Sequence, residues 1–329
     1  MTESTMNIVR LGLLHSIIKI KKIMKTTHLQ GLIAAPFTPF DANGQLDCSR
    51  IPEYYSFLKR NKVTGVFING STGEGVSLTL EEKKAVAQAW ADCSNHDADF
   101  KVMVFLGGTC LNDCIDLAKH AYEIGLYAVS LTAPFYFKPA NVEMLAQACI
   151  MVGESVPNMP LYYYHIPVLT GVNIPMFDLV QALDGKLDNF AGIKYTHEDF
   201  MDFQSCMSYK EGKYDMLWGR DENMLSALVL GAKGAVGSTF NYAAPLYHDL
   251  IAAFETNNLI KARELQQKSI NMIRLLGKYG GISVGKSYMK VTGLNLGDFR
   301  LPVKNMTSSQ FEDFQKDVQS LDFKSFKSN

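Results

Sequence analysis

Asn189-Phe-Ala-Gly-Ile-Lys-Tyr-Thr-His197 is a short apolar run with a lysine inside it. Phe190, Ala191 and Ile193 are apolar and the run is too short for a helix, so it reads as a buried strand. A buried strand is a poor solvent for an ammonium group. A free lysine is neutral about one time in 2500 near pH 7, its reference pKa being ~10.4. Desolvation disfavours the charged form, and moving the pKa to ~7 changes that balance by roughly 4–5 kcal/mol. The neutral amine of Lys194 can then attack a carbonyl and form a Schiff base. The plainer reading is a lysine at a strand end with its head reaching water.

Working outward, the same kind of run recurs at a regular interval. Apolar stretches rich in Val, Ile, Ala and Tyr lie at 32–36, 65–70, 102–107, 128–133, 160–165, 191–194, 216–219 and 234–237. Each ends near Gly, Pro, Ser or Thr, and segments such as 80–91, 112–124, 144–152 and 222–230 carry apolar residues at helical spacing. Strand and helix alternating eight times, with continuously apolar strands, predicts an α/β fold, the closed parallel (β/α)8 TIM barrel. A doubly wound open sheet is disfavoured because no Gly-x-Gly-x-x-Gly follows the first strand. Four further helical patterns, 244–255, 259–279, 283–292 and 308–321, exceed what closes a barrel. They predict a C-terminal helical extension packed on one barrel end. The expected division is an N-terminal leader at 1–28, a catalytic barrel at 29–243 and a barrel-closing helical extension at 244–329.

The chain has 329 residues, within the range of a single α/β barrel, and 47% hydrophobic content supports a large core. Lys+Arg 32 against Asp+Glu 33 gives a net charge of −1, which offers no footprint for nucleic acid. No apolar run reaches the ~18 residues that suggest a membrane span. Residues 1–28 carry Arg10, Lys19, Lys21, Lys22 and Lys25 against Glu3, around an apolar run at 11–20. Most of the charge follows the apolar run, unlike a secretory signal. A membrane-surface helix is the alternative to a poorly packed translated leader ahead of Met24. Cys48, Cys93, Cys110, Cys114, Cys149 and Cys206 show no disulfide or zinc framework, and read as reduced thiols of a cytoplasmic protein.

In such barrels chemistry gathers where strands run into the loops that follow them. The second strand ends Gly70-Ser-Thr-Gly-Glu-Gly75, a turn whose backbone N–H groups and hydroxyls (Ser71, Thr72) can hold an anion. An ordinary helix N-terminus capped by Ser77 or Thr79 is compatible with that reading. The fifth ends Tyr162-Tyr-Tyr-His-Ile-Pro167; Tyr162 and Tyr164 share a face, and Tyr164 is either core or a proton shuttle beside the amine. His165, on the other face, reads as packing. The seventh ends Gly219-Arg-Asp-Glu222, where the carboxylates either bind sugar hydroxyls or favour the next helix. The eighth ends Gly237-Ser-Thr-Phe-Asn241. Tyr279-Gly-Gly-Ile-Ser-Val-Gly285 lacks the ending of a nucleotide-binding loop.

Gly-Ser-Thr-Gly-Glu at 70–74, Tyr-His-Ile-Pro at 164–167 and Gly-Ile-Lys at 192–194 together resemble the N-acetylneuraminate lyase group of the dihydrodipicolinate synthase superfamily, pyruvate-dependent class I aldolases. Ala-Pro-Phe at 133–135 and Gly-Ser-Thr-Phe-Asn at 237–241 match as well. The resemblance runs from about Leu29 to the C-terminal helices. It implies reversible cleavage of N-acetylneuraminate to N-acetylmannosamine and pyruvate, a homotetramer, and no metal or organic cofactor. It implies that Lys194 forms the imine, that Tyr164 moves the proton with Thr72 in its relay, and that Ser71 and Thr72 hold the pyruvate carboxylate. Thr196, Gly219, Asp221, Glu222 and Ser238 would contact the sugar. The synthase branch typically carries an arginine after the tyrosine, where this chain offers Leu169.

Overall fold

The computed structural model describes residues 28–329. The expected leader lies outside these residues, apart from an exposed His28. Eight parallel strands close on themselves in sequence order: β1 (Gly31–Ala34), β2 (Gly65–Ile68), β3 (Lys101–Gly107), β4 (Ala128–Leu131), β5 (Leu161–His165), β6 (Phe190–Tyr195), β7 (Asp215–Trp218) and β8 (Gly234–Gly237). Ile33 pairs with Val236 of β8 and closes the cylinder. In β2 and β4 to β8 every residue is buried, because both faces are covered.

The period of two sorts the side chains. Ile33, Phe67, Met103, Phe105, Tyr162, Tyr164, Leu217 and Val236 form the cluster inside the barrel, while Tyr163, Ile193 and Tyr195 join the larger layer between strands and helices. Lys194, between two outward residues, therefore points inward. The register sets it beside Tyr164 on β5 and Leu217 on β7. The floor of the barrel is shut by Asp215, which accepts the Leu29 N–H at 3.0 Å and the Tyr162 hydroxyl at 2.8 Å.

The strands alternate with α1 (Ile51–Arg60), α2 (Leu80–Ser94), α3 (Leu111–Glu123), α4 (Val142–Ser155), the short α5 (Pro167–Thr170), α6 (Met176–Leu183), α7 (Phe200–Ser208) and α8 (Met224–Val229). Thr79, not Ser77, caps α2, in a box with Glu82. After β8 come α9 (Phe240–Glu255), α10 (Leu259–Tyr279), α11 (Val284–Thr292) and α12 (Ser308–Ser320). The expected boundary at 243/244 falls inside α9, where Ala243 leaves helical geometry (φ −141°) just before Pro245. Tyr242 stacks on Tyr288 of α11 at 4.6 Å, and Phe314 of α12 meets Tyr288 edge-on at 4.8 Å. Asn329 N–H donates to Asn61 at 3.0 Å, which pins the chain end to the loop after α1.

Candidate active site

Lys194 lies near the C-terminal end of β6 with 3% of its surface exposed. Its ammonium nitrogen lies 3.9 Å from the ring centre of Phe67 and 4.0 Å from that of Tyr164. Burial pulls its pKa down to about 7, and the negative charge of Asp221 opposes that fall. The strand-end snorkelling reading therefore fails: the amine is inside the barrel and substantially neutral near pH 7.

Tyr164 is held edge-on by Phe67 and Phe105, with ring centres 5.4 and 5.5 Å away. Its backbone carbonyl accepts the Thr132 hydroxyl at 2.9 Å. Burial raises the phenol pKa; the Ser71 and Thr196 hydroxyls beside it lower it, and Asp221 raises it. Thr196 Oγ1 is buried and makes no hydrogen bond of good geometry, so it remains free to bond a ligand. The hydroxyls facing the phenol are thus those of Ser71 and Thr196, the second of which the sequence pattern gave only to sugar contact. His165, as expected of a packing residue, is buried against Tyr195 and His197, and burial takes its pKa down to about 3.

Asp221 follows β7 and is 6% exposed. One of its oxygens accepts the Thr239 N–H at 2.9 Å and the Thr239 hydroxyl at 2.6 Å. Burial raises its pKa to about 6; the Thr239 bonds and the Lys194 charge act against this, and Glu222 adds to it. Gly237 is required here, because a Cβ at that position would lie 2.2 Å from an Asp221 oxygen. Sequence reading singled out Ser238 and passed over Thr239, although the adjacent hydroxyls of the Gly-Ser-Thr ending were the available signal. Glu222 is more exposed and pairs with Arg220 at 3.1 Å; Arg220 also bridges to Glu198.

These groups surround one cavity of about 250 Å³. Ser71, Thr72, Tyr164, Lys194, Thr196, Gly219, Asp221, Glu222 and Ser238 all line it, so the structure brings together the residues expected to catalyse or to bind substrate. Leu169 of α5, 63% exposed, lines the cavity as well. Ile273 and Leu276 of α10, with Ile282 after it, complete the wall from the C-terminal extension. Among the described residues no three His, Cys, Asp or Glu side chains are grouped as metal ligands, and no helix is long and apolar enough to cross a membrane. The six cysteines are free thiols.

The model of the dihydrodipicolinate synthetase family matches residues 28–321. The N-acetylneuraminate lyases of Rattus norvegicus and Homo sapiens are each 38% identical over 304 residues, 91% of this chain and 94% of theirs. Among solved structures, the Proteus mirabilis N-acetylneuraminate lyase superposes with a TM-score of 0.87 at 36% identity, covering 90% of this chain and 100% of that one. The enzyme of Aliivibrio salmonicida, a sialic acid aldolase, gives 0.86 at 34% identity over 90% and 98%. With the barrel, the buried lysine and these relationships in agreement, the chain belongs to the dihydrodipicolinate synthetase family.

Proposed function

We propose that this protein is a class I aldolase that cleaves N-acetylneuraminate reversibly to N-acetylmannosamine and pyruvate. The observation that carries the reading is a buried Lys194 amine, its pKa lowered to about 7, lying 4.0 Å from the ring centre of the buried Tyr164 beside a cavity with a hydroxyl-bearing turn. The likeness to N-acetylneuraminate lyases of matching length supports the substrate.

The amine of Lys194 adds to the C2 carbonyl of the open-chain sugar acid and, with loss of water, gives a protonated imine. Tyr164 gives its proton to the departing hydroxyl of the carbinolamine, and the phenolate so formed beside the imine cation takes the C4 hydroxyl proton while the C3–C4 bond breaks. The bonding pair moves into the imine, leaving an enamine and freeing the aldehyde of N-acetylmannosamine. Protonation at C3 regenerates an imine, and water hydrolyses it to pyruvate and free Lys194. The imine is the electron sink, so no step calls on a metal or an organic cofactor. Ser71 and Thr72 hold the carboxylate, with backbone N–H groups of the 70–75 turn. Thr72 relays the phenol proton, together with the Ser71 and Thr196 hydroxyls that lie beside the phenol. Thr196, Gly219, Asp221, Glu222 and Ser238 bind the sugar hydroxyls, and Leu169 favours a neutral sugar over an aldehyde that carries a carboxylate.

The chain divides into a catalytic barrel to about 243 and a helical extension beyond, and works in the cytoplasm as a homotetramer. Exposed Tyr136, Phe137 and Val168 supply apolar surface for subunit contact. A silent keto-acid-binding barrel would need neither a desolvated amine nor a phenol beside it. Pyruvate release from N-acetylneuraminate, compared with deacetylated and shorter sugar acids, tests the reading. Preference for another sugar acid would make this a different pyruvate aldolase; no release from any would leave a binding protein.

A further inference from the structure

The turn 70–75 has a second side that does not face the cavity, and a buried ion pair stands there. Glu74 and Lys286 of α11 are each 3% exposed at the side chain and 3.1 Å apart, though 212 residues separate them in sequence. Glu74 is a non-glycine residue in the left-handed region (φ 56°), a conformation held only when its surroundings dictate it. Gly75 beside it has no room for a side chain, since a Cβ would fall 1.6 Å from the Asn69 carbonyl oxygen. Thr38 donates to the Gly73 carbonyl at 2.6 Å. The other Glu74 oxygen accepts the Arg300 N–H at 2.8 Å, and Lys286 also donates to the Asp298 carbonyl at 3.0 Å. Arg300 makes a two-pronged pair with Glu82, the capping-box partner of Thr79 in α2, at 2.9 and 2.6 Å. Both ends of the segment that runs from turn to helix are thus gripped by one C-terminal stretch, 286–300.

Stability is a weak reason for such a pair, because two apolar side chains of similar size would hold α11 at least as well. A charge-assisted bond adds direction, which apolar contact lacks. Here the direction is imposed on the backbone of Glu74, two residues from Thr72. We propose that Glu74 and Lys286 are positioning residues: their clamp fixes the turn that receives the keto-acid carboxylate, and so ties the helical extension to catalysis. This rests on the reading of 70–75 as the carboxylate cradle. Neither residue lines the cavity, so both act only through the turn.

The test uses the full chain with Glu74→Gln, Lys286→Met and the double variant. Borohydride trapping of pyruvate on Lys194 is measured against pyruvate concentration, together with melting temperature. Loss of the clamp raises half-saturating pyruvate by about tenfold to a hundredfold in each single variant, the scale of a small misplacement, with trapping at saturation near the wild-type rate. In the double variant no unpaired buried charge remains, so stability recovers while half-saturating pyruvate stays raised. A purely structural pair would recover both together, and that result overturns the proposal. Should neither single variant fold, the double variant and Lys286→Arg, which keeps the charge but alters the geometry of the bond to Glu74, carry the measurement. Half-saturation within about twofold of wild type in both, below any effect expected of misplacement, would equally overturn it. If the wild-type chain itself is not trapped on Lys194, the reading of the site has failed, and the clamp falls with it.

Discussion

The floor and the mouth of the barrel are built from the same residue types and behave differently. Tyr162 and Tyr164 sit two apart on one face of β5; Asp215 begins β7 and Asp221 follows it. Burial raises the pKa of both acids to about 6. At the floor, Tyr162 donates to Asp215, the Leu29 N–H fills out the same carboxylate, and the groups are locked into each other. At the mouth, Lys194 has two ring faces and the Asp221 charge for company, and Tyr164 has hydroxyls that themselves border a cavity. Burial alone therefore does not mark a working group. Burial next to space for a ligand does.

The largest expected effect is at Lys194. Lys194→Met should abolish turnover and make the protein more stable. The folded-state pKa of about 7 lies below the ordinary lysine value of 10.5. Between those values the unfolded chain holds more protons, so this group's contribution to stability rises with pH through that window, and its penalty is largest at pH 7 and below. Removing the amine should stabilise the protein by about 2–4 kcal/mol at pH 7, with the gain fading as pH approaches 10.5. Denaturant unfolding at several pH values checks this; a less stable variant at pH 7 would mean the amine is well accommodated. Next, Tyr164→Phe should slow turnover by about 10²–10⁴, the range for lost acid–base catalysis, with imine trapping still detectable. Near-normal turnover would make Tyr164 a second Tyr162.

Glu222→Gln should weaken use of the sugar by about tenfold to a hundredfold, the worth of one charged hydrogen bond, and leave pyruvate trapping unchanged. Asp221→Asn should cost as much and also shift the pH midpoint of trapping downward, because its charge holds up the Lys194 pKa. Loss of pyruvate trapping in both variants would remove the sugar-site assignment. The smallest effect belongs to the floor. Tyr162→Phe should change turnover by less than threefold or so while destabilising by about 1–3 kcal/mol, since Asp215 loses a donor. A large catalytic loss there would dissolve the contrast between the two ends.

Much of this was legible in the sequence, for reasons that can be named. Strands covered on both faces must be apolar throughout, so β4 or β8 stands out as a run, and a lysine in β6 stands out against it. The period of two places Tyr162 and Tyr164 on one face of β5 from the sequence alone. What the sequence does not carry is pairing across long intervals. Glu74 reads as one letter of a turn motif, and Lys286 as one basic residue of a helix, until the fold joins them. Likewise 259–279 is visibly helical, yet its pattern does not say that Ile273 and Leu276 border the cavity. Thr239 is a hydroxyl among hydroxyls until Asp221 is found on it.

The central claim is that Lys194 is an amine made nucleophilic by burial beside a cavity, and one measurement addresses it directly. The protein is incubated with pyruvate and borohydride from pH 6 to 9, and the modified peptide is identified by mass. The reduced pyruvyl group should appear on Lys194, with the trapping rate rising through a midpoint near pH 7 and levelling above it. Modification of a different lysine, none at all, or a rate still climbing at pH 9 would contradict the account.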